Sequence, residues 1–403
     1  MAASYSSICQ PKAPSAVNAD QSTTGLPYPI NGSWQNRCYN NSTTIDPPGP
    51  GQEFFGQDAQ TGNKPALFKD NDDGTITDRN TGLMWVKNRG VKVTWEEAVA
   101  NAGKCAVGNY HDWRMPTIKD LYSLIDFNGH SGFSAEESIP YIDTRFFEIS
   151  FGNTANGERL IDAQDWSATE YVGKTMLNNS TVFGYNFIDG RIKGYPKFRP
   201  QASEPNKLYV RYVRGNPLYG LNDLADNGNG TITDKATGLM WTKDDSGSGM
   251  NWKDALAWVQ KKNSENYLGY SDWKLPNAKE LQSIVDYSRA PDVTHSPAIN
   301  PVFNCTVIKN EGGKDDYPFY WTGTTHLEGR NPGVAAVYLC FGRGLGFMRR
   351  PIGGNPELTD VHGAGCQRSD PKTGNPADFP TGRGPQGDVI RILNYVRMVR
   401  TIR

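Results

Sequence analysis

The histidines are few, and their spacing limits the chemistry open to this chain of 403 residues. There are five, at positions 111, 130, 295, 326 and 362, and none belongs to an HExxH motif or to a pair with the helical spacing of metal ligands. The sequence contains no GxSxG nucleophile elbow, no Walker loop and no GxGxxG placed after a strand. These absences favour a non-catalytic protein over an enzyme.

Three residues towards the C-terminal end are candidate metal ligands. Asp360, His362 and Asp370 lie within the stretch DVHGAGCQRSD, and carboxylate oxygens and imidazole nitrogens are common metal ligands. The three side chains could hold a metal ion together, or they could be hydrogen-bonded loop residues. The sequence leaves both possibilities open.

Acidic residues ahead of a glycine raise the question of a calcium loop. An EF-hand needs an acidic residue five positions before its glycine, and this sequence has Lys69 and Ala225 there. Gly-Thr-Ile-Thr after a turn residue is instead typical of a tight turn that leads into a strand. A hairpin is therefore predicted, and calcium held by Asp70, Asp72 or Asp226 in another geometry remains possible.

Polar and aromatic residues in glycine-rich segments form the candidate ligand site, because scaffolds carry binding residues on loops. In the second half of the chain they are Trp321, His326, Arg343, His362 and Arg368. In the first half they are Arg191, Lys193 and Arg211, which belong to a basic run with interleaved aromatic residues. Such a run could hold sulfated or uronic sugars by charge and stacking. The alternative is the solvated face of a strand.

These candidates belong to two copies of one domain. GTITDRNTGLMW (residues 74–85) recurs as GTITDKATGLMW (230–241) with all but two positions identical. A second long motif, which contains DWRMP in the first copy and DWKLP in the second, recurs further along the chain. The repeat of about 160 residues has the size of a domain rather than of a solenoid unit. We predict an irregular extension over residues 1–64, a first domain over 65–217 and a second over 218–403.

Each copy is predicted to contain two helices followed by antiparallel strands. Helix-capping patterns mark helix starts at Thr94 and Thr117 in the first copy, and at Asn251 and Asn277 in the second. The tryptophans of the GLMW and DWR/DWK motifs are predicted to be buried. A hairpin, two helices and then several strands is the order of an α+β domain.

The two copies differ most in their later segments. The closing strands, LYVRYVRG (208–215) and LNYVRMVR (393–400), alternate so that Val lies on one face and Arg on the other. The second copy also contains an extra loop, roughly 353–387.

Composition restricts the partners and the compartment. The net charge of -1 gives no bulk attraction to nucleic acid or to an anionic membrane. No run approaches the roughly 20 apolar residues of a membrane span, and the first residues lack the features of a signal peptide. Among six cysteines, Cys9 and Cys38 form a possible disulfide within the extension. We expect at least one disulfide and an oxidising compartment.

The order of the motifs resembles the Lcl C-terminal domain family, which is named from a bacterial collagen-like adhesin. GTITDxxTGLMW, YxDWRxP and a terminal YVRxVR carry the resemblance, and all three recur in the same order in both copies, with Lys274 in place of the Arg in the second YxDWRxP. The resemblance implies a fold related to C-type lectins and to formylglycine-generating-enzyme-like domains, on secreted or cell-surface bacterial proteins. The adhesin itself is associated with sulfated glycosaminoglycans. The Cys that many relatives have in the last strand is replaced here by Tyr212 and Met398.

These observations predict a secreted or surface-associated bacterial protein that binds without catalysis. The expected partner is an extracellular polysaccharide, another polyanionic surface ligand or a surface protein, and a homo-oligomer is possible. One alternative is a structural subunit of an extracellular assembly or filament. A second is a metal-dependent enzyme on a formylglycine-generating-enzyme-like fold.

Overall fold

The computed structural model describes residues 25–62, 64–176, 178–199, 204–349 and 354–402. Within the extension, β1 (Cys38–Tyr39) and β2 (Thr44–Ile45) form a short antiparallel pair. Cys9 lies outside the described residues, while Cys38 is buried and is not bonded to any described cysteine.

The first copy is built on the repeated hairpin. Its elements are β3 (Phe68–Asp70), β4 (Thr75–Asp78), β5 (Leu83–Val86), α1 (Trp95–Ala102), α2 (Ile118–Ser123), β6 (Gln164–Glu170), β7 (Thr181–Asn186), β8 (Arg191–Pro196) and β9 (Val213–Gly215). The predicted hairpin is confirmed as β4 and β5. These two strands lie between β3 and β9 in a four-stranded antiparallel sheet.

The second copy repeats this plan and adds strands. Its elements are β10 (Leu224–Asp226), β11 (Thr231–Asp234), β12 (Leu239–Thr242), α3 (Trp252–Ser264), α4 (Ala278–Ser283), α5 (Pro291–Thr294), β13 (Ile308–Lys309), β14 (Asp315–Asp316), β15 (Phe319–His326), β16 (Ala335–Cys340), β17 (Leu345–Arg349), β18 (Pro356–Asp360), β19 (Gln367–Pro371) and β20 (Val399–Thr401). The sheet β10-β11-β12-β20 is the counterpart of β3-β4-β5-β9.

The prediction of an α+β fold is wrong, because the regular structure is mostly β: strands account for 29% and helices for only 13% of the structure. The four predicted helices do form, and Thr94, Thr117, Asn251 and Asn277 cap them as expected. However, α2 and α4 are only six residues long, so each covers little of a sheet. The architecture of several sheets does not show the expected C-type-lectin-like or formylglycine-generating-enzyme-like fold.

One sheet is shared by the two copies. Its strand order is β15-β16-β19-β8-β7-β6, and Gln367 of β19 pairs with Ile192 of β8. By sequence, β17 is the counterpart of β8, but β17 pairs with β18 in a separate hairpin. The place beside β16 is taken by β19, which comes from the extra loop of the second copy. The extra loop therefore joins the copies into one sheet.

The helices α2 and α4 meet through a reciprocal contact between equivalent residues. Lys119 Nζ donates a hydrogen bond to the carbonyl oxygen of Ser283 at 2.7 Å, and Lys279 Nζ donates one to that of Ser123 at 3.0 Å. Each ammonium group thus satisfies an orphan carbonyl at the C-terminal end of the other helix. The two copies are consequently related by an approximate twofold arrangement at this contact.

The described part of the extension lies across both copies. The side-chain amide of Gln35 donates to the carbonyl oxygen of Phe127 in the first copy and to that of Thr325 in the second, and it accepts from the Thr325 N–H. Further along, the hydroxyl of Thr324 donates to the buried carboxylate of Asp58. The extension therefore stabilises the contact between the copies.

Candidate functional site

Charged side chains gather where β8 lies beside β19, and we call this group the junction cluster. Its members are Asp189, Arg191, Lys193, Glu328, Arg368 and Asp388, together with His326 and His362. Five of the eight predicted ligand residues are among them, although they lie far apart in the sequence. The cluster is the place where the sequence-based candidates converge.

The β8 side of the cluster presents two cations held by carboxylates. Arg191 and Lys193 lie two positions apart on one strand, so their side chains lie on the same face of the sheet. Lys193 Nζ lies 2.9 Å from the carboxylate of Asp189, while Arg191 is paired with Glu328 of the second copy. Arg191 also donates to the hydroxyl of Ser369 at 2.8 Å. Arg191 therefore links the two copies.

The β19 side is organised by Asp388, which accepts from the guanidinium of Arg368 and lies 2.8 Å from Nε2 of His362. Burial alone would raise the pKa of Asp388, but Arg368 and His362 hold it well below its usual value. Burial lowers the pKa of His362 to about 4 and that of His326 to about 3. Both imidazoles are therefore neutral at neutral pH.

Several polar atoms in the cluster have no hydrogen-bond partner within the described part of the chain. They include the donors Nε and Nη1 of Arg368 and the hydroxyl of Tyr195, and the acceptor Oδ1 of Asp189. The Arg368 side chain belongs to a residue that is nine-tenths buried. Leaving such a group unsatisfied costs about 1–3 kcal/mol. A molecule that both donates and accepts hydrogen bonds would remove this cost.

An exposed aromatic ring lies on the rim of the cluster. Phe133 is 72% exposed, and the guanidinium of Arg330 lies 5.8 Å from its ring centroid. The loop of Phe133 is anchored to the cluster because Ser131 bridges to Glu328. Arg383 extends the rim with an exposed guanidinium that lies 3.9 Å from the Glu328 carboxylate.

The remaining predicted ligand residues lie elsewhere. Trp321 is fully buried, and its indole N–H donates to the carbonyl oxygen of Met250. Arg343 pairs with Asp292 at 2.6 Å. Arg211 is not on a solvated face either, because it is fully buried and donates to the carbonyl oxygen of Val86 and of other residues. These side chains stabilise the fold around them.

The candidate metal ligands have separate partners. Asp360 accepts from the hydroxyl of Tyr171 at 2.8 Å, and Asp370 accepts from the backbone N–H of Ile392 at 3.0 Å. His362 belongs to the junction cluster. Across the described ranges, no group of three or more His, Cys, Asp or Glu residues could hold a metal ion. The structure therefore does not assemble Asp360, His362 and Asp370 into a metal site.

The residues considered for calcium lie at the repeated hairpins. The carboxylate of Asp70 lies 2.6 Å from Lys87 Nζ, and the equivalent Asp226 lies 2.6 Å from Lys243 Nζ. Asp72 follows the first of these, and its N–H donates to Asp70. A lysine thus occupies in each copy the position where a cation would neutralise the carboxylate.

The acidic members of the cluster were missed at the level of sequence. Asp189 and Glu328 each occur in an acidic-Gly-Arg triplet, IDGRI and LEGRN, and this shared pattern could have pointed to both. Asp388 carries no such pattern, because its role depends on the course of the extra loop.

Comparison with known proteins gives one match. The model of the Lcl C-terminal domain matches residues 74–214 and 230–350, which is more than half of the chain and agrees with two tandem copies. The match indicates a surface-associated domain of the adhesin type. No curated protein and no solved structure matches the chain. Among the described residues, no helix is long and apolar enough to cross a membrane.

Proposed function

The chain belongs to the Lcl C-terminal domain family, and we propose that it is a bacterial surface protein that binds an extracellular polysaccharide at the junction cluster. One observation carries this proposal. Residues from distant parts of both copies converge on one cluster that retains unsatisfied buried donors and acceptors, including those of Arg368 and Asp189.

The chemistry of the cluster suits sugar hydroxyl groups. A hydroxyl can accept from the free N–H groups of Arg368 or from Tyr195, and it can donate to the free oxygen of Asp189. The apolar face of a pyranose ring can pack on the exposed ring of Phe133, since aromatic rings bury apolar area readily. Polar groups that fix orientation beside an aromatic wall are typical of small-ligand sites.

The charge balance favours a hydroxyl-rich glycan over a heavily sulfated one. Three cations of the cluster face three carboxylates, those of Asp189, Glu328 and Asp388. Burial alone would raise the pKa of Glu328, but Arg191 and neighbouring cations hold it at about 2, so this carboxylate remains charged. A polyanion would therefore meet repulsion from these groups as well as attraction.

The test uses the full chain on an array of bacterial and host polysaccharides, followed by titration calorimetry. Tyr195→Phe removes only the free hydroxyl, and Phe133→Ala removes only the exposed ring. Each is expected to weaken binding about 10-fold, equivalent to about 1.4 kcal/mol, without a change in melting temperature. Val91→Ala is the control. Val91 is 76% exposed, and strands β6 and β7 separate it from the junction cluster.

Two outcomes would contradict the proposal. One is that the chain binds no polysaccharide on the array. The other is that it binds only heparin, with an affinity that falls steeply with salt and is unchanged in Phe133→Ala and Tyr195→Phe. The second result would indicate a polyanion site away from the junction cluster.

A further inference from the structure

Two buried cysteines face each other beside the junction cluster. Cys340 is the last residue of β16, and Cys366 directly precedes β19. The regular pairing ends at Leu339 and Gln367, and a bulge follows in which the N–H of Cys340 donates to the carbonyl oxygen of Cys366 at 3.0 Å and the N–H of Gly365 donates to that of Cys340 at 2.7 Å. Residues joined by a hydrogen bond across antiparallel strands have Cα atoms about 5.5 Å apart, which lies within the range that a disulfide requires.

The two thiols occupy one enclosed space. They interact with each other, and Sγ of Cys340 lies 3.0 Å from the carbonyl oxygen of Gly342. A Cβ atom on Gly344 would lie 2.8 Å from Sγ of Cys366, so the neighbouring turn leaves room for the two sulfur atoms and little else. Both cysteines are fully buried, and both are free thiols in the structure, as are the other described cysteines.

We propose that Cys340 and Cys366 form a disulfide when the chain folds in the presence of a disulfide oxidant such as oxidised glutathione. One thiolate attacks the oxidant and forms a mixed disulfide, which releases one molecule of glutathione. The second thiolate then displaces the other glutathione and forms the Cys340–Cys366 bond. Two protons and two electrons leave the protein, and the oxidant is reduced to two thiols.

The reaction has to occur during folding rather than afterwards. Burial raises the pKa of Cys340 well above its usual value in the native state, so the reactive thiolate is scarce once the core has closed. The bond would close a loop that contains β17, β18 and His362. It would also fix the start of β19, two residues before Arg368, and thereby one side of the junction cluster.

The experiment folds the full chain in a glutathione redox buffer, blocks free thiols with iodoacetamide under denaturing conditions and maps tryptic peptides without reduction. We expect the peptides containing Cys340 and Cys366 to be linked, and Cys105 and Cys305 to be alkylated. Reduction with dithiothreitol should separate the peptides and lower the melting temperature by about 5 °C.

Variants make the assignment specific. Cys105→Ala should keep the link, whereas Cys366→Ala should leave Cys340 alkylated. The proposal is overturned if both peptides carry the alkyl group after folding with oxidised glutathione, or if either cysteine is linked to a third one. The map of the unmodified sequence decides the question even if Cys366→Ala does not fold.

Discussion

Replacing Lys279 with Met tests the contact between the two helices at the centre of the molecule. Lys279 is only 3% exposed, and its ammonium donates to the carbonyl oxygen of Ser123 across the interface between the copies. The pKa of Lys279 is lowered by burial to about 7 from its usual 10.5, and the attraction of Asp126 and other carboxylates offsets this only in part. Met has a similar shape and no charge.

The sign of the effect follows from proton binding. Between about pH 7 and pH 10.5 the unfolded chain holds the proton on Lys279 and the native state does not, so the free energy of unfolding rises with pH. Each pH unit in this window contributes about 1.4 kcal/mol. From pH 6 to pH 9.5, Lys279 should therefore add about 3 kcal/mol to the stability of the natural sequence, and Lys279→Met should lack this increment.

The assay is urea-induced unfolding at pH 6 and at pH 9.5, followed by tryptophan fluorescence. At pH 9.5 the natural sequence should be more stable than Lys279→Met by about 1 kcal/mol, the typical contribution of the lost hydrogen bond. At pH 6 the Lys279→Met variant should be the more stable by about 2–3 kcal/mol. Titrating groups distant from Lys279 act equally in both proteins, so they cancel in the difference.

Lys309→Met is the matched control, since the Lys309 side chain is 68% exposed and pairs with an exposed Asp315. Lys309→Met should leave the pH dependence of the free energy of unfolding the same as that of the natural sequence. The reasoning fails if the stabilities of the natural sequence and of Lys279→Met change in parallel between the two pH values. Such a result would mean that Lys279 keeps its charge in the native state at pH 9.5.

Three further substitutions test packing and capping by urea unfolding. Asp120→Ala removes the carboxylate that accepts from the Thr117 N–H in the capping box of α2 and leaves Arg114 without its partner at 2.6 Å, and it should cost about 3 kcal/mol. Gly194→Ala would bring a Cβ to 2.9 Å from the carbonyl oxygen of His362 and should cost about 2 kcal/mol by forcing β8 away from the extra loop. Trp241→Ala opens a cavity in the core and should cost about 4 kcal/mol. A loss below about 1 kcal/mol in any of them would contradict the corresponding contact.

Local patterns were enough to predict the elements but not their arrangement. The caps at Thr94 and Thr117 and the repeated hairpin depend on residues three or four positions apart, so the sequence contains all that determines them. The burial of Arg211 and Arg397 depends instead on carbonyl groups of distant loops, which accept from the guanidinium groups. Alternation along the strand predicts only that Val and Arg lie on opposite faces, and it does not show whether the arginine face is buried.

The shared sheet had no signal in the sequence. By alignment β17 should lie beside β16, as β8 lies beside β7, and only the formation of the β17–β18 hairpin leaves that place to β19. The choice between two competing partners is settled by packing across the whole molecule. The strand propensities of the separate segments do not determine which strand lies beside β16.

The candidate site forms because β19 pairs with β8 in the shared sheet. The repeated motifs supply the hairpin and the core tryptophan of each copy, and they are alike because both copies need the same scaffold. The junction cluster instead requires Arg191 and Lys193 from the first copy, and Arg368 and Asp388 from the second. The last two residues lie beyond residue 350, where the family match ends. Neither copy could form the site alone. A glycan that binds there would therefore contact residues of both copies rather than the motifs that the copies share.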